Sequence, residues 1–338
     1  MKEAALAAGF HKVGIARAEP LDPGPLDRML ACGAEADMSW LRTQRAQRLD
    51  PSRLLPGVKS VIALALAYAG DAGAAALDQR GRVARYARGR DYHAVMKKRL
   101  KLLLARLHER DPKLRALPTA DVAPVMEKAW AERAGIGWVG KNGCLITTDL
   151  GSWVVLATVL VDRELDADPP HPERCGDCSA CMPACPTGAI PEPGLVDARR
   201  CLSFHTIERR GAVPDGVASH MGRWAFGCDD CQTACPWNRA AGGATDPELA
   251  PTRHPFVELL SLVAMDVDEY RREFYGTALA RAGHAGLVRN AILVAGANGE
   301  RAIAPAVRRR LGSELPGVAE AARWALPRLG SEPAEGGE

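Results

Sequence analysis

Strand-like and helix-like patterns of apolar residues alternate through the first part of the chain. Residues 11–18 (HKVGIARA) have a strand pattern, and residues 60–68 (SVIALALAY) form a nearly continuous apolar run, which is typical of a strand buried on both faces. Residues 26–41 between them are predicted to be helical. Apolar residues from Met96 to Leu107 then recur at helical spacing, which predicts an amphipathic helix.

A further helix and two strands are predicted after residue 120. Pro124 suits the first position of a helix, and Gly135 suits its C-terminal cap. Residues 144–148 and 152–161 have strand patterns and are separated by a short turn. The N-terminal region is therefore predicted to be an α/β or α+β domain.

The C-terminal region is predicted to be helical. Apolar residues recur at helical spacing over 256–263, 287–295, 303–311 and 318–326, and glycines separate several of these segments. Paired short helices favour a HEAT-like repeat, although a plain helical cap would give the same periodicity. The tail after residue 330 (SEPAEGGE) is predicted to be disordered.

Two stretches rich in proline or glycine predict the domain boundaries. They are residues 166–172 (DADPPHP) and 240–251 (AAGGATDPELAP). We expect an α/β domain over 1–165, a ferredoxin-like domain over 166–245 and a helical domain over 246–330, followed by the tail at 331–338.

Composition and charge favour a cytoplasmic enzyme. The chain has 338 residues, of which 47% are hydrophobic, and no uncharged apolar run approaches the ~18 residues that span a bilayer. Nothing at the N-terminus resembles a secretory signal. The net charge of +3 is small, but residues 82–101 contain eight Lys or Arg and one acid, Asp91. Such a segment either binds an anion or is a solvated surface.

Eight of the ten cysteines lie within sixty-one residues. The run CGDCSACMPACP has the C-x2-C-x2-C-x3-C-P spacing of bacterial two-cluster ferredoxins, and CDDCQTACP supplies three more thiols. Because the fourth cysteine of such a run ligates the other cluster, two 4Fe-4S clusters are predicted. Their ligands are Cys175, Cys178, Cys181 and Cys235 for cluster 1, and Cys185, Cys201, Cys228 and Cys231 for cluster 2.

Two other uses of these cysteines remain as alternatives. Paired C-x2-C motifs also form four-thiolate zinc sites, although the x3-C-P ends have no role there. Disulfides are disfavoured in a cytosolic protein. Cys32 and Cys144 fit neither cluster and are predicted to be buried thiols.

The clusters imply a second cofactor, because iron held entirely by thiolates moves electrons and leaves the bond chemistry to another group. No G-x-G-x-x-G follows a predicted strand, so a nicotinamide or flavin site of Rossmann type has no support. Polar groups concentrate instead in QRLDP (47–51), RGRDYH (88–93) and TADVAPVMEKAWAERAGIGWVGKN (119–142).

These motifs resemble those of the epoxyqueuosine reductase family, and the resemblance extends over nearly the whole chain. It also rests on LLPGVKSV, CPTGAI, CLSFHTIE, FGCDDCQTACPWN and LVRNAILVAGANG. The resemblance implies a cobalamin and two 4Fe-4S clusters, in a fold related to reductive dehalogenases. It also implies reduction of epoxyqueuosine to queuosine at the wobble position of tRNA. The expected partners are tRNA and an unidentified electron donor, with no membrane, and a monomer is the default expectation.

The resemblance also assigns roles by position. Asp121 in DVAP matches the family's proton donor and a cobalamin contact, and its pKa is expected to be raised by burial beside the corrin. Other positions matching cobalamin contacts are Arg48, Ser203, Cys228, Asp229, Asp230 and Cys231. Arg209 and Arg210 match tRNA-contacting positions, and Arg289, Arg308, Arg309 and Arg310 are further candidates for phosphate contacts.

Three points stay open at this stage. Val122 departs from the Thr or Ser that often follows this aspartate in the family, and Asp121 has an alternative structural role as a helix cap. Two other functions also account for part of the sequence. One is a cobalamin-dependent, reductive dehalogenase-like enzyme acting on a small molecule, and the other is an electron-transfer module without a corrin.

Overall fold

The computed structural model describes residues 1–68, 78–239, 241 and 246–330. The predicted tail at 331–338 and part of the second linker therefore lie outside the described residues. The strands of the N-terminal region are β1 (Lys12–Arg17), β2 (Ser60–Ala67), β3 (Arg80–Val83), β4 (Ala116–Thr119), β5 (Trp138–Val139), β6 (Leu145–Ile146) and β7 (Val154–Val161). Its helices are α1 (Lys2–Ala7), α2 (Gly24–Ala31), α3 (Trp40–Thr43), α4 (Arg45–Leu49), α5 (Tyr92–Arg110) and α6 (Glu127–Arg133).

The middle of the chain is built mainly of short elements around the cysteine-rich loops. They are α7 (Leu202–Ile207), α8 (Asp215–Ala218), β8 (Trp224–Phe226), α9 (Asp230–Thr233) and α10 (Pro236–Arg239). The C-terminal region contains β9 (Phe256–Glu258), α11 (Leu259–Ala264), α12 (Val267–Phe274), α13 (Gly283–Ala297), α14 (Ala304–Arg308) and α15 (Val318–Ala325).

The main sheet has the strand order β1-β2-β7-β4, and each neighbouring pair is antiparallel. Every residue of β2 is buried, as its apolar run predicts. Ile62, Leu64 and Leu66 contribute to the core on the side of α1 and α5, whereas Val61 and Ala63 contribute to the core that includes α2 and α6. Helices cover both faces of an antiparallel sheet, so the arrangement is α+β rather than doubly wound.

A smaller sheet joins all three regions of the chain. β3 pairs in parallel with β8 and antiparallel with β9, giving the order β8-β3-β9. A single hydrophobic core runs from Val83 through Phe226 into helices α11 to α15. The boundaries at 165 and 245 stay a prediction, but these regions share a sheet and a core. The helices expected near 287–295, 303–311 and 318–326 are present, and their description as a HEAT-like repeat also stays a prediction.

Several local predictions differ from the structure. The segment 26–41 is not one helix, because α2 ends at Ala31 and turns follow, with Gly33 and Ala36 at positive φ. α6 begins at Glu127, three residues after Pro124. β6 pairs with β5 and not with β7.

The two unassigned thiols also differ from expectation. Cys32 is exposed, because it follows the end of α2 on the surface, and Cys144 is partly buried rather than fully enclosed.

Candidate active site and cluster loops

The cysteines predicted for cluster 1 gather around one cavity. Cys175, Cys178, Cys181 and Cys235 line a space of about 280 Å³ beside Trp237. Cys235 lies in the turn between α9 and α10, so the second cysteine-rich run reaches back to the first. This is the grouping that the crossing rule predicts, and the ligand assignment itself stays a prediction.

The four cysteines predicted for cluster 2 are also neighbours. Burial raises the pKa of the Cys231 thiol, and so do the nearby thiols of Cys144, Cys228, Cys201 and Cys185. The backbone N–H of Ala189 donates to Cys185 Sγ at 3.2 Å. All ten cysteines are free of disulfides.

The turn after β5 contacts both cysteine-rich loops. Lys141 Nζ donates to the carbonyl of Gly176 at 2.6 Å, and Asn142 Nδ2 donates to the carbonyl of Cys231 at 3.4 Å. The indole Nε1 of Trp138 lies 3.4 Å from Cys175 Sγ, and the Trp138 side chain is fully buried. This turn has the sequence GWVGKN and follows the segment that contains Asp121. Its contacts therefore connect that segment to the two cysteine-rich loops.

Asp121 lies in the bend between β4 and α6 and contacts the start of α5. Tyr92 donates its phenolic proton to Asp121 Oδ2, and His93 Nε2 lies 3.5 Å from the same oxygen. His93 Nδ1 is 2.8 Å from Asp91 Oδ1, and Asp91 also caps α5. His93 is thus held between two carboxylates. The capping role for Asp121 is wrong, because α6 has no side-chain cap and the carboxylate faces Tyr92 and His93.

The electrostatics of this cluster reverse one prediction. Burial acts to raise the pKa of Asp121, but hydrogen bonds from His93 and Tyr92 outweigh it, and the pKa lies below its usual value. Hydrogen bonds to Asp121 and Asp91 raise the pKa of His93 to about 9. The raised pKa predicted for Asp121 is therefore wrong in this structure, because the prediction left out the imidazolium. At neutral pH the dissociable proton lies on His93.

Two cavities meet at this cluster, and both are lined by Tyr86, Tyr92 and Asp121. The first, of about 300 Å³, also contacts Cys201 and Ser203 and is bordered by the ion pair of Glu208 with Arg281. The second, of about 310 Å³, extends over the main sheet; its further lining residues include Glu127, Cys144, Ser152 and Gln232. Asp121 is therefore accessible from both cavities and lies close to the predicted cluster 2.

Arg48 and Ser203 are placed to bind a ligand such as a corrin near Asp121, whereas Asp229 and Asp230 are bonded within the chain. Arg48 Nε is buried and has no hydrogen-bond partner among the residues that the structure describes, so an acceptor on a bound group would satisfy it. Ser203 lies in the wall of the first cavity, and its contact with cobalamin stays a prediction. Asp229 differs, because its carboxylate is buried and accepts the backbone N–H of Arg85 at 2.8 Å. Asp230 Oδ2 accepts the indole N–H of Trp224 at 3.1 Å, so both aspartate side chains have partners within the chain.

The arginines predicted to contact tRNA differ in how far their side chains are already paired with other groups of this chain. Arg209 pairs with Asp37 at 2.6 Å. The exposed Arg210 donates to the carbonyls of Ile207, Ala282 and Arg281.

Arg289 is only 1% exposed, so its prediction as a phosphate contact is wrong. Its guanidinium donates to the carbonyls of His205, Arg209 and Gly211. Arg308 and Arg309 are exposed, and Arg310 donates to carbonyls at the end of α11.

The sequence motifs contain four further residues of the site for which the sequence analysis predicts no role. Tyr92 and His93 stand in RGRDYH and Glu127 stands in VMEKAW, yet no role was assigned to them. Glu208 follows CLSFHTI. The signal in the sequence is that Asp91, Tyr92 and His93 are adjacent at the start of one helix. The contact of Tyr92 with Asp121, twenty-nine positions later, is visible only in the folded structure.

Comparison with known proteins identifies the domains. Residues 174–238 match the family model of a 4Fe-4S double cluster binding domain, and residues 48–121 match the model "Epoxyqueuosine reductase QueG, DUF1730". The epoxyqueuosine reductase of Gloeobacter violaceus is 46% identical over 309 residues, which is 89% of this chain and 96% of that protein.

Solved structures give the same result. A crystal structure of epoxyqueuosine reductase with an epoxyqueuosine-modified tRNA-Tyr stem loop has a TM-score of 0.88 at 31% identity, covering 97% of this chain and 89% of the other. An epoxyqueuosine reductase from Bacillus subtilis, solved with its aspartate catalytic loop swung out of the active site, has a TM-score of 0.89 at 31% identity and covers 97% and 88% of the two chains.

The double-cluster domain, joined to an acid site on an α+β core, defines an iron–sulfur oxidoreductase. The match to the cluster model also removes the zinc alternative. The chain belongs to the epoxyqueuosine reductase family.

Proposed function

We propose that this chain reduces epoxyqueuosine to queuosine at the wobble position of tRNA, with electrons that pass through two 4Fe-4S clusters to a bound cobalamin. The observation that carries the proposal is the junction of two cavities at Asp121, beside the cysteines of cluster 2. Family membership supports the reaction, and the stem-loop complex of the related reductase supports tRNA as the substrate. A tRNA substrate would also place the enzyme in the cytoplasm.

The residues around Asp121 are suited to deliver protons. Converting an epoxide to an alkene with loss of water needs two electrons and two protons at the departing oxygen. At neutral pH the His93 imidazolium and the Tyr92 hydroxyl both contact the Asp121 carboxylate. One of these protons would pass from His93 to Asp121 and from there to the oxygen, and the second would be taken up from solvent, while Asp91 keeps the imidazole oriented. Asp121 is then the last donor, and His93 is the proton store.

The chain also supplies a place for the cofactor. Arg48, Ser203 and the backbone around Cys228–Cys231 would hold the cobalamin, whose reduced cobalt would deliver electrons to the substrate carbon. The buried Arg48 Nε needs an acceptor, and the walls of the first cavity are mainly apolar. The first cavity, where it is bordered by Glu208 and Arg281, would receive the splayed base of the anticodon loop.

The electron path follows from the positions of the cysteines. Those of cluster 1 include the exposed Cys178, whereas Cys201 of cluster 2 lines the cavity that holds Asp121. Electrons from an external donor would therefore arrive at cluster 1 and pass inward to cluster 2. The donor itself is not identified, and a monomer stays the expectation for the oligomeric state.

Turnover with modified tRNA tests the proposal. Reconstituted protein with cobalamin and a reductant should convert epoxyqueuosine in a tRNA stem loop to queuosine, measured by chromatography of the digested nucleosides. Asp121→Asn should abolish conversion, and His93→Gln should lower it about 100-fold, as expected for lost proton transfer. His220→Gln is the matched control, since His220 is exposed and bonded only to the local carbonyl of Gly216.

Three results would contradict parts of the proposal. Full activity of Asp121→Asn would exclude Asp121 as the donor. Failure of the wild-type protein to convert the nucleoside, with all cofactors loaded, would reject the substrate. Tight binding of the stem loop that does not weaken between low and moderate salt would also argue against an interface of exposed cations and phosphates.

A further inference from the structure

The backbone of Asp121 adopts an uncommon conformation. Asp121 has φ +59, in the left-handed region that residues with a side chain seldom occupy, although Asp and Asn occur there more often than the others. The bend that contains it has no regular secondary structure, and the next residue, Val122, is 80% exposed. The bend therefore has little packing of its own to hold Asp121 in place.

Glu127 supplies a contact that fixes this conformation. Its Oε1 accepts the backbone N–H of Asp121 at 3.1 Å. Glu127 is the first residue of α6, and that helix packs onto the main sheet through Trp130 and Ala131, which are both buried. The carboxyl group thus connects a strained backbone amide to a rigid element.

We propose that Glu127 is a positioning residue that holds the Asp121 bend in its active position, by accepting the Asp121 amide. This inference rests on the proposed role of Asp121 as the proton donor. Because Asp121 must reach both the substrate and His93, displacing the bend would disconnect the donor from its proton store. The hydrogen bond to Glu127 is formed by the backbone, so it is independent of the Asp121 side chain.

The strength of this contact should depend on pH near neutrality. Burial is the main cause that raises the pKa of Glu127 to about 7. The Asp121 carboxylate also acts to raise this pKa, whereas hydrogen bonds from backbone amides, including that of Asp121, and the charge of Arg48 act to lower it. Lys128, the next residue on α6, is directed to the carbonyl of Gly143. An ionised acceptor forms the stronger hydrogen bond. The bend should therefore be held more tightly as the pH rises through about 7.

Amide hydrogen exchange tests the proposal without requiring activity. In the full chain with its clusters, Glu127→Ala should increase exchange at Asp121 about tenfold or more at constant pH, as expected for a lost charge-assisted hydrogen bond. Glu127→Gln keeps an acceptor, so the exchange rate of the Asp121 amide should stay close to that of wild type. Because glutamine does not ionise, this rate should no longer show the change in protection near pH 7. The matched control is Glu132→Ala, because Glu132 on the same helix accepts the amide of Val139 instead.

The kinetic test uses the same variants with modified stem loop. Glu127→Ala should lower kcat with little change in KM, and Glu127→Gln should recover most of kcat while flattening the pH profile near 7. Wild-type exchange at Asp121 in Glu127→Ala would overturn the proposal, as would equal effects of the Glu127 and Glu132 variants. The exchange result stands even if epoxyqueuosine proves not to be the substrate, so the two failures can be distinguished.

Discussion

Replacing Arg289 with methionine should destabilise the protein and release the segment that carries Cys201. The Arg289 guanidinium donates to three carbonyls at and beyond the end of α7, those of His205, Arg209 and Gly211, at 2.6–2.9 Å. Carbonyls at a helix C-terminus have no partner within the helix, and a cation there is favourable. Burial lowers the pKa of Arg289 to about 10, so the group stays charged at neutral pH.

The size of the effect follows from the carbonyls left behind. A buried acceptor without a donor costs about 1–3 kcal/mol, and removing the desolvated arginine charge offsets part of the sum. The contact with the His205 carbonyl is buried, and those with Arg209 and Gly211 are partly buried. We expect a loss of about 3 kcal/mol, which is a shift of about 1 M in the urea midpoint if m is about 3 kcal/mol per M. Asn290, which donates to the carbonyls of Thr206 and Ala225, should keep α13 in contact with α7 and β8.

Anaerobic urea unfolding of the cluster-loaded protein, followed by circular dichroism, is the assay. Arg308→Met is the matched control, because Arg308 is exposed in the same region and should shift the midpoint little. Arg289→Met should also lose iron faster to a chelator, while the salt dependence of tRNA binding stays unchanged because a buried guanidinium contacts no phosphate. Equal midpoints for the two variants would refute the reasoning.

Three further predictions concern the clusters and the acid site. Trp138→Phe removes an N–H donor from Cys175 Sγ and should therefore lower the reduction potential of cluster 1. The potential is measured by a redox titration followed by electron paramagnetic resonance, and an unchanged value would show that the contact does not tune the cluster. Cys201→Ala should reduce iron from about eight to about four per chain, with the spectrum of cluster 1 retained, whereas undiminished iron would remove Cys201 from the ligand set. Since the pKa of His93 is raised from 6.5 to about 9, its stabilising effect is complete below about 6.5 and is lost as the pH rises through 9. The urea midpoint should therefore fall across that range in wild type more than in His93→Gln, and parallel curves would contradict the charge assignment.

The sequence allowed the prediction of features that depend on local spacing. The cysteine intervals predicted both thiol groups, because a tight loop places its ligands through its own backbone. The apolar run at 60–68 predicted a strand buried on both faces, which β2 confirms. The helix from Met96 to Leu107 is confirmed within α5.

Features that depend on distant contacts could not be predicted in the same way. The pKa of Asp121 has the opposite direction to the one expected, because His93 approaches from a different element. Arg289 stands in the sequence LVRNAILVAGA. A single arginine among apolar residues is compatible with an exposed side chain and equally with one that is buried in a polar contact. Only the fold shows that α13 is buried at that position, against the end of α7.

The proposed reaction requires that this chain hold two 4Fe-4S clusters and one corrin. The most direct measurement is the iron and cobalt content of anaerobically reconstituted protein, incubated with cobalamin and then desalted. About eight irons and one retained cobalt per chain are predicted, with a loss of cobalt in Arg48→Met, which removes the buried donor. Eight irons without cobalt would contradict the account and would instead indicate an electron-transfer module.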